Sequence, residues 1–206
     1  MVETQKGRLD ESKEQWNLLK QSNKASLEIL YQLYSNKLYN YGSKFSADKD
    51  LITESIQELF VTLWTRRDFL GDPTDVKNYL YKAFRLSLFK KVARSRKNAT
   101  FEDTEAYVFE VSLSAEDNVI DTEKKDEVIK LLEKTLKQLT VRQREAIFLK
   151  FYEERSYVEI AEIMDITVKG GYKLIGRAIE ALRDALNRKD LMSILILIYG
   201  SGINNS

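Results

Sequence analysis

The fold class this sequence predicts is all-α: two small helical domains joined by an acidic linker. Apolar residues recur at steps of three and four over most of its 206 residues, Pro occurs once, and the one long lapse in the pattern carries acids without any cation.

Residues 1–24 form a polar amino-terminal segment, and a first domain spans 25–97. Its first stripe, Leu27, Leu30, Tyr31, Tyr34, Leu38, Tyr41 and Phe45, predicts a long amphipathic helix. The second stripe is Ile52, Ile56, Leu59, Phe60, Leu63 and Trp64, begun by Asp48 as cap and stopped before Gly71-Asp72-Pro73. The third follows Pro73 with Val76, Tyr79, Leu80, Ala83 and Phe84, and continues to Leu88 and Val92.

Residues 98–123 hold eight carboxylates and no Lys or Arg, and read as the linker. Phe101, Tyr107, Val108, Phe109, Val111 and Leu113 can pin parts of it to a domain surface. A second domain spans 124–190, opening on the face Val128, Leu131, Leu132, Thr135, Leu136 and Leu139. Two capping boxes follow, Thr140 with Gln143 and Ser156 with Glu159, each fixing a helix start. Thr167 caps a further helix through Tyr172, Ile175, Ala178, Ile179, Leu182 and Leu186. The apolar tail, 191–206, is too short to span a bilayer and is expected to pack on the preceding helices or a partner.

Composition removes several function classes. Without Cys or His there are no disulfides, thiolate nucleophiles or imidazole bases, and the commonest zinc ligands are missing. No cofactor motif is present, and carboxylate pairs such as Glu153-Glu154 have no converging nucleophile, so the protein is expected not to be an enzyme. The amino end lacks a signal peptide's apolar run, and the protein reads as soluble and cytoplasmic. Lys+Arg 33 against Asp+Glu 32 leaves a net charge of +1, so any charged partner must be recognised locally.

From Ser156 to Arg183 the spacing is that of a helix-turn-helix: a short helix from Tyr157 to Met164 with small Ala161 inside it, a turn at Asp165-Ile166, and a second helix from Thr167. The second helix would offer Lys169, Tyr172, Lys173 and Arg177 to the major groove, with Ser156 and Thr167 placed at helix starts for phosphates. Helical bundles hold such hairpins without binding DNA, so the wording around it matters. The stretches Leu139-Thr140-Val141-Arg142-Gln143-Arg144-Glu145-Ala146-Ile147-Phe148-Leu149 and Ser156-Tyr157-Val158-Glu159-Ile160-Ala161-Glu162-Ile163-Met164, followed by Arg177-Ala178 and Ala181-Leu182-Arg183, resemble region 4 of the sigma-70 family. The resemblance implies a domain that reads the minus-35 promoter element and docks on the polymerase beta flap.

In the other half, Leu51-Ile52, then Ile56 through Trp64, then Val76 and Tyr79-Leu80 are similar to sigma region 2 of the extracytoplasmic-function (ECF) group, in a Bacteroidetes-like form. The resemblance implies a helix that grips the beta-prime coiled coil of core RNA polymerase, followed by one that melts and reads the minus-10 element. Phe60 and Trp64 share the apolar face and are expected in the core, which leaves Gln57, Glu58, Thr65, Arg66 and Arg67 as the polymerase-binding candidates. Lys77 to Lys97 carries eight cations and no acid, interleaved with Tyr79, Tyr81, Phe84 and Phe89. That pattern suits a phosphate-tracking, base-stacking surface, with Lys77, Lys82, Arg85, Lys90, Lys91 and Arg94 as its contacts. An anti-sigma factor is a further partner the resemblance implies.

The sequence departs from the family at Ser55, usually acidic, at Leu86, often Asn, and at Asp165, often Gly. Gly170 and Gly171 predict a weak start to the recognition helix, each costing about 1 kcal/mol against Ala. Two other readings are a helix-turn-helix regulator binding DNA without polymerase, and a helical interaction protein whose basic helix meets its own acidic linker.

Overall fold

The computed structural model describes residues 2–95, 107–110 and 133–185, with side chains left aside at residues 2–10, 93–95 and 185. Outside them lie most of the acidic stretch, the first helical face of the second domain through Leu132, the side chain of Arg94, Arg96 and Lys97, and the apolar tail. The chain divides into two compact units, one of Met1–Val108 with Glu162–Asp165, the other of Phe109–Ala161 with Ile166–Ser206.

The first unit is built from α1 (Val2–Lys20), α2 (Lys24–Gly42), α3 (Lys49–Thr65) and α4 (Val76–Ser95), with a 3-10 turn at Arg67–Phe69. Short polar side chains start three of these helices by satisfying backbone donors that the first turn leaves free. Asn23 Oδ1 accepts from the Ser26 N–H, Asp48 Oδ1 from Leu51 and Asp75 Oδ1 from Asn78. The predicted stripes form the core: Leu30, Leu38, Tyr41, Ile52, Leu63, Leu80, Phe84 and Leu88 are fully enclosed. Gly42 is needed here, because a Cβ would stand 2.8 Å from Phe84 Cζ and 2.9 Å from Ile52 Cγ2.

The amino-terminal segment, polar by composition, folds as α1 and packs on α2. Trp16 and Leu19 are buried, and Ser12 hydrogen-bonds the Tyr34 hydroxyl at 2.6 Å. The same helix clasps the turn before α4. Trp16 Nε1 donates to Gly71 O at 3.0 Å, Lys13 Nζ to Pro73 O at 2.7 Å, and Lys20 pairs with Asp72 at 2.7 Å. That lysine holds the Asp72 carboxyl below its usual range.

In the second unit a helical turn at 133–136 leads to α5 (Val141–Ile147), a π turn (Phe148–Tyr152), α6 (Tyr157–Met164) and α7 (Val168–Ala185). Both capping boxes are formed. The Thr140 N–H donates to Gln143 Oε1 at 2.8 Å and the Gln143 N–H to Thr140 Oγ1 at 3.3 Å, while Ser156 and Glu159 exchange bonds of 2.6 and 3.3 Å. α5 packs on α7 around buried Ala146, Phe148, Leu149, Ile175 and Ala178. Among the described residues no helix is long and apolar enough to cross a membrane.

Candidate nucleic-acid interface

The helix-turn-helix turns on Asp165, whose φ of 55° lies in the left-handed region that a short polar side chain tolerates. The Ile166 N–H returns to Ala161 O at 2.9 Å, which sets where α6 ends and α7 begins. The recognition helix starts cleanly despite its glycines. The Gly170 N–H donates to Thr167 Oγ1 at 3.0 Å and the Gly171 N–H to Thr167 O at 2.9 Å.

Lys169, Tyr172, Lys173 and Arg177 all lie on the exposed side of α7, with Ile175 and Ala178 buried opposite. Tyr172 belongs to the apolar stripe by spacing, yet it is 56% exposed and its ring stacks on Tyr157 at 3.9 Å and 18°. Lys150 Nζ lies 4.8 Å from the Tyr157 centroid on the other hand. Tyr157 therefore carries Tyr172, a role that periodicity alone does not signal. Ile179, also on the predicted stripe, is 43% exposed. Ser156 and Thr167 stand at the two helix starts, but both hydroxyls already accept capping hydrogen bonds. Glu159 also pairs with Arg155 at 2.8 Å, which puts a carboxylate where a phosphate would approach Ser156.

On α4 the cations separate into different environments. Lys90 is exposed, while Lys77 and Lys82 are half-buried. Lys77 Nζ lies 5.3 Å from the Tyr81 centroid. Arg85 is only 6% exposed, its guanidinium 4.2 Å from the Phe89 centroid and 5.7 Å from that of Tyr107. Lys91 pairs with Glu58 at 2.9 Å and lies 3.8 Å from Glu54, so a predicted DNA contact and a predicted polymerase contact are bonded to each other. Of the interleaved aromatics, Tyr81 and Phe84 belong to the core, and Tyr79 and Phe89 are half-buried.

Along α3, Glu54, Gln57, Glu58, Val61, Thr65 and Arg66 form an exposed edge, whereas Phe60 is buried and Trp64 half-buried. Arg67 is spent internally. Its Nε donates to Ser22 Oγ at 2.8 Å, its Nη1 to Trp64 O at 2.9 Å, and its guanidinium lies 4.7 Å from the Trp64 ring.

Known proteins align with this architecture. The family model for sigma-70, region 4 matches residues 129–182, the stretch that contains the helix-turn-helix. The ECF RNA polymerase sigma factor SigM of Bacillus subtilis is 24% identical over 164 residues, covering 79% of this chain and 96% of its own. The chain thus carries a sigma-70 region 4 domain and is similar over most of its length to sigma factors of the ECF group. The RNA polymerase sigma factor SigV of Bacillus subtilis is a second relative, also 24% identical, over 84% of this chain and 98% of its own length. Among solved structures, CnrH in complex with the cytosolic domain of CnrY matches the fold with a TM-score of 0.56 at 17% identity, covering 84% of this chain and 94% of that one. RpoE in complex with the anti-sigma factor NepR from Bartonella quintana matches with a TM-score of 0.54 at 19% identity, covering 77% and 94%.

Proposed function

We propose that this sigma factor joins core RNA polymerase through the exposed edge of α3, melts and reads the minus-10 element with α4, and reads the minus-35 element with α7. The observation that carries the reading is the clustering of Lys169, Tyr172, Lys173 and Arg177 on the open side of a helix-turn-helix that lies within the region 4 match. On α3 the contact set is Gln57, Glu58, Thr65 and Arg66, with Arg67 acting through the shape of the helix end. On α4 the phosphate contacts are Lys77, Lys82, Lys90 and Arg94, and Lys91 joins them once Glu58 turns to the polymerase.

The domain organisation follows the same reading: region 2 in 25–97, linker in 98–123, region 4 in 124–190. The beta-prime coiled coil receives α3, the beta flap receives the region 4 domain, and an anti-sigma factor covers one of these surfaces when the factor is silent. The protein acts in the cytoplasm and has no enzymatic activity of its own. Its Bacteroidetes-like origin rests on the wording of the two motifs.

Run-off transcription with purified core polymerase on a promoter library tests the reading. Lys173→Ala with Arg177→Ala should abolish transcripts that depend on an upstream element, and omitting core polymerase should abolish all of them. DNA binding at palindromic sites without polymerase would favour a free-standing regulator instead.

A further inference from the structure

We propose that Tyr107, carried by the acidic linker, is an internal occupant of a base-stacking seat on the first unit, and that it must leave before an unpaired promoter base can stack there. The inference rests on the reading of α4 as the promoter-melting helix and adds a device that holds this surface shut in the free protein.

The seat consists of Phe45, Phe89 and Arg85. The Tyr107 ring lies 4.5 Å from Phe89 at 34° and 5.7 Å from Phe45 at 37°. Phe89 and Phe45 meet edge-on at 5.1 Å, so the two rings form one wall. The Arg85 guanidinium lies 4.2 Å from the Phe89 centroid. The same guanidinium lies 5.7 Å from the Tyr107 centroid, so ring, wall and cation meet side by side, and aromatic faces with a neighbouring guanidinium are what single-strand-binding surfaces use to hold a nucleobase. An anchor made only to fasten a linker needs no cation beside it.

The occupant resembles the ligand of such a seat. Tyr107 is presented from irregular backbone at 107–110, not from a helix of the bundle, and is 8% exposed. In sequence it follows Glu102, Asp103 and Glu105 and precedes Glu110, so an aromatic ring is flanked by negative charges as a base is flanked by phosphates. Exposed Lys90 on the same helix attracts either kind of chain. Ring and acids together therefore compete with single-stranded DNA for both parts of its recognition.

The test uses the full chain and a short, fluorescently labelled single-stranded oligodeoxynucleotide of mixed sequence. Tyr107→Ala should bind it about tenfold tighter than the parent, in keeping with the worth of one stacked base. Tyr107→Phe, which keeps the ring, should bind like the parent, and adding Phe89→Ala to Tyr107→Ala should remove the gain. Should the alanine variant fold poorly, a fluorotyrosine placed only at position 107 reports on the otherwise intact protein. Its fluorine resonance should move toward the free-peptide position as oligonucleotide is added, and a resonance that stays put while DNA binds would overturn the proposal. So would a folded Tyr107→Ala protein that binds no tighter than the parent. Phe89→Ala assembled with core polymerase tests the underlying reading separately. Impaired promoter melting there, with no gain from Tyr107→Ala, removes only the occupant; unimpaired melting removes the seat itself.

Discussion

Arg144 joins four backbone carbonyls: its Nε donates to Phe109 O at 2.8 Å, and its Nη1 donates to Leu139 O at 2.9 Å and lies 3.4 Å from both Leu136 O and Lys137 O. One planar fork thus closes the helical turn before α5 and ties down the chain that brings Phe109 into the core against Phe148. Lysine has the charge but not the fork. Arg144→Lys should therefore destabilise the protein by about 2 kcal/mol, in the range for hydrogen bonds made by a charged group, read as a lower urea midpoint with an unchanged slope. An unchanged midpoint would show that these carbonyls are satisfied without it. The sequence contains Arg144 within a recognisable motif but nothing that separates it from neighbouring Arg142, because its acceptors are backbone atoms from two segments, Phe109 and Leu136–Leu139. The same holds for Arg67 and Lys91. Composition marks them as cations, and only their partners, Trp64 O and Glu58, decide that they start out engaged.

At the scale of the element, periodicity and capping chemistry place α2, α3, α4, α6 and α7 well, since each rests on an apolar stripe or a short polar cap. α1 escapes that reading because its sequence is mostly polar, and among its described side chains only Ser12, Trp16 and Leu19 are buried. Its role rests on Trp16, which fills the space between α2 and the Gly71–Pro73 turn and meets Tyr79 edge-on at 5.0 Å. Trp16→Ala should cost about 3 to 5 kcal/mol, the usual loss for a fully buried large aromatic, and a differential scanning profile in which the transition does not move would contradict this.

The glycines of α7 are the opposite case, where composition predicts weakness and geometry supplies room. A Cβ on Gly171 would come no closer than 3.6 Å to Tyr157 O, an ordinary contact, whereas one on Gly170 would press on Thr167 Oγ1 at 3.1 Å, the capping atom itself. Gly171→Ala is thus expected to stabilise the helix by about 1 kcal/mol. Gly170→Ala should gain less. Circular dichroism melts of the two single variants check the order, and equal gains would mean that the Thr167 cap yields without cost.

For the whole molecule, the lapse in apolar spacing is what made two units legible: a segment that cannot form an amphipathic helix cannot join either core along its length. Spacing could not say which of its apolar residues are anchors. Tyr107 and Phe109 take that part in the structure, one in each unit, because each finds aromatic partners there. Glu102, Asp103 and Glu105 lie outside the described residues, and Glu110 is exposed. Stacking and charge should consequently be separable functions of the linker. Neutralising Glu102, Asp103, Glu105 and Glu110 to Gln or Asn should raise the affinity of the free factor for single-stranded DNA at about 0.05 M salt, where exposed charges act over more than about 10 Å. By about 0.2 M the advantage over the parent should shrink, since competition between carboxylates and phosphates for α4 is screened on both sides. The advantage of Tyr107→Ala should persist across the same range, because ring stacking carries no net charge. If the neutralised variant binds no better than the parent at any ionic strength, the carboxylates keep the linker solvated and the aromatic ring alone occupies the surface.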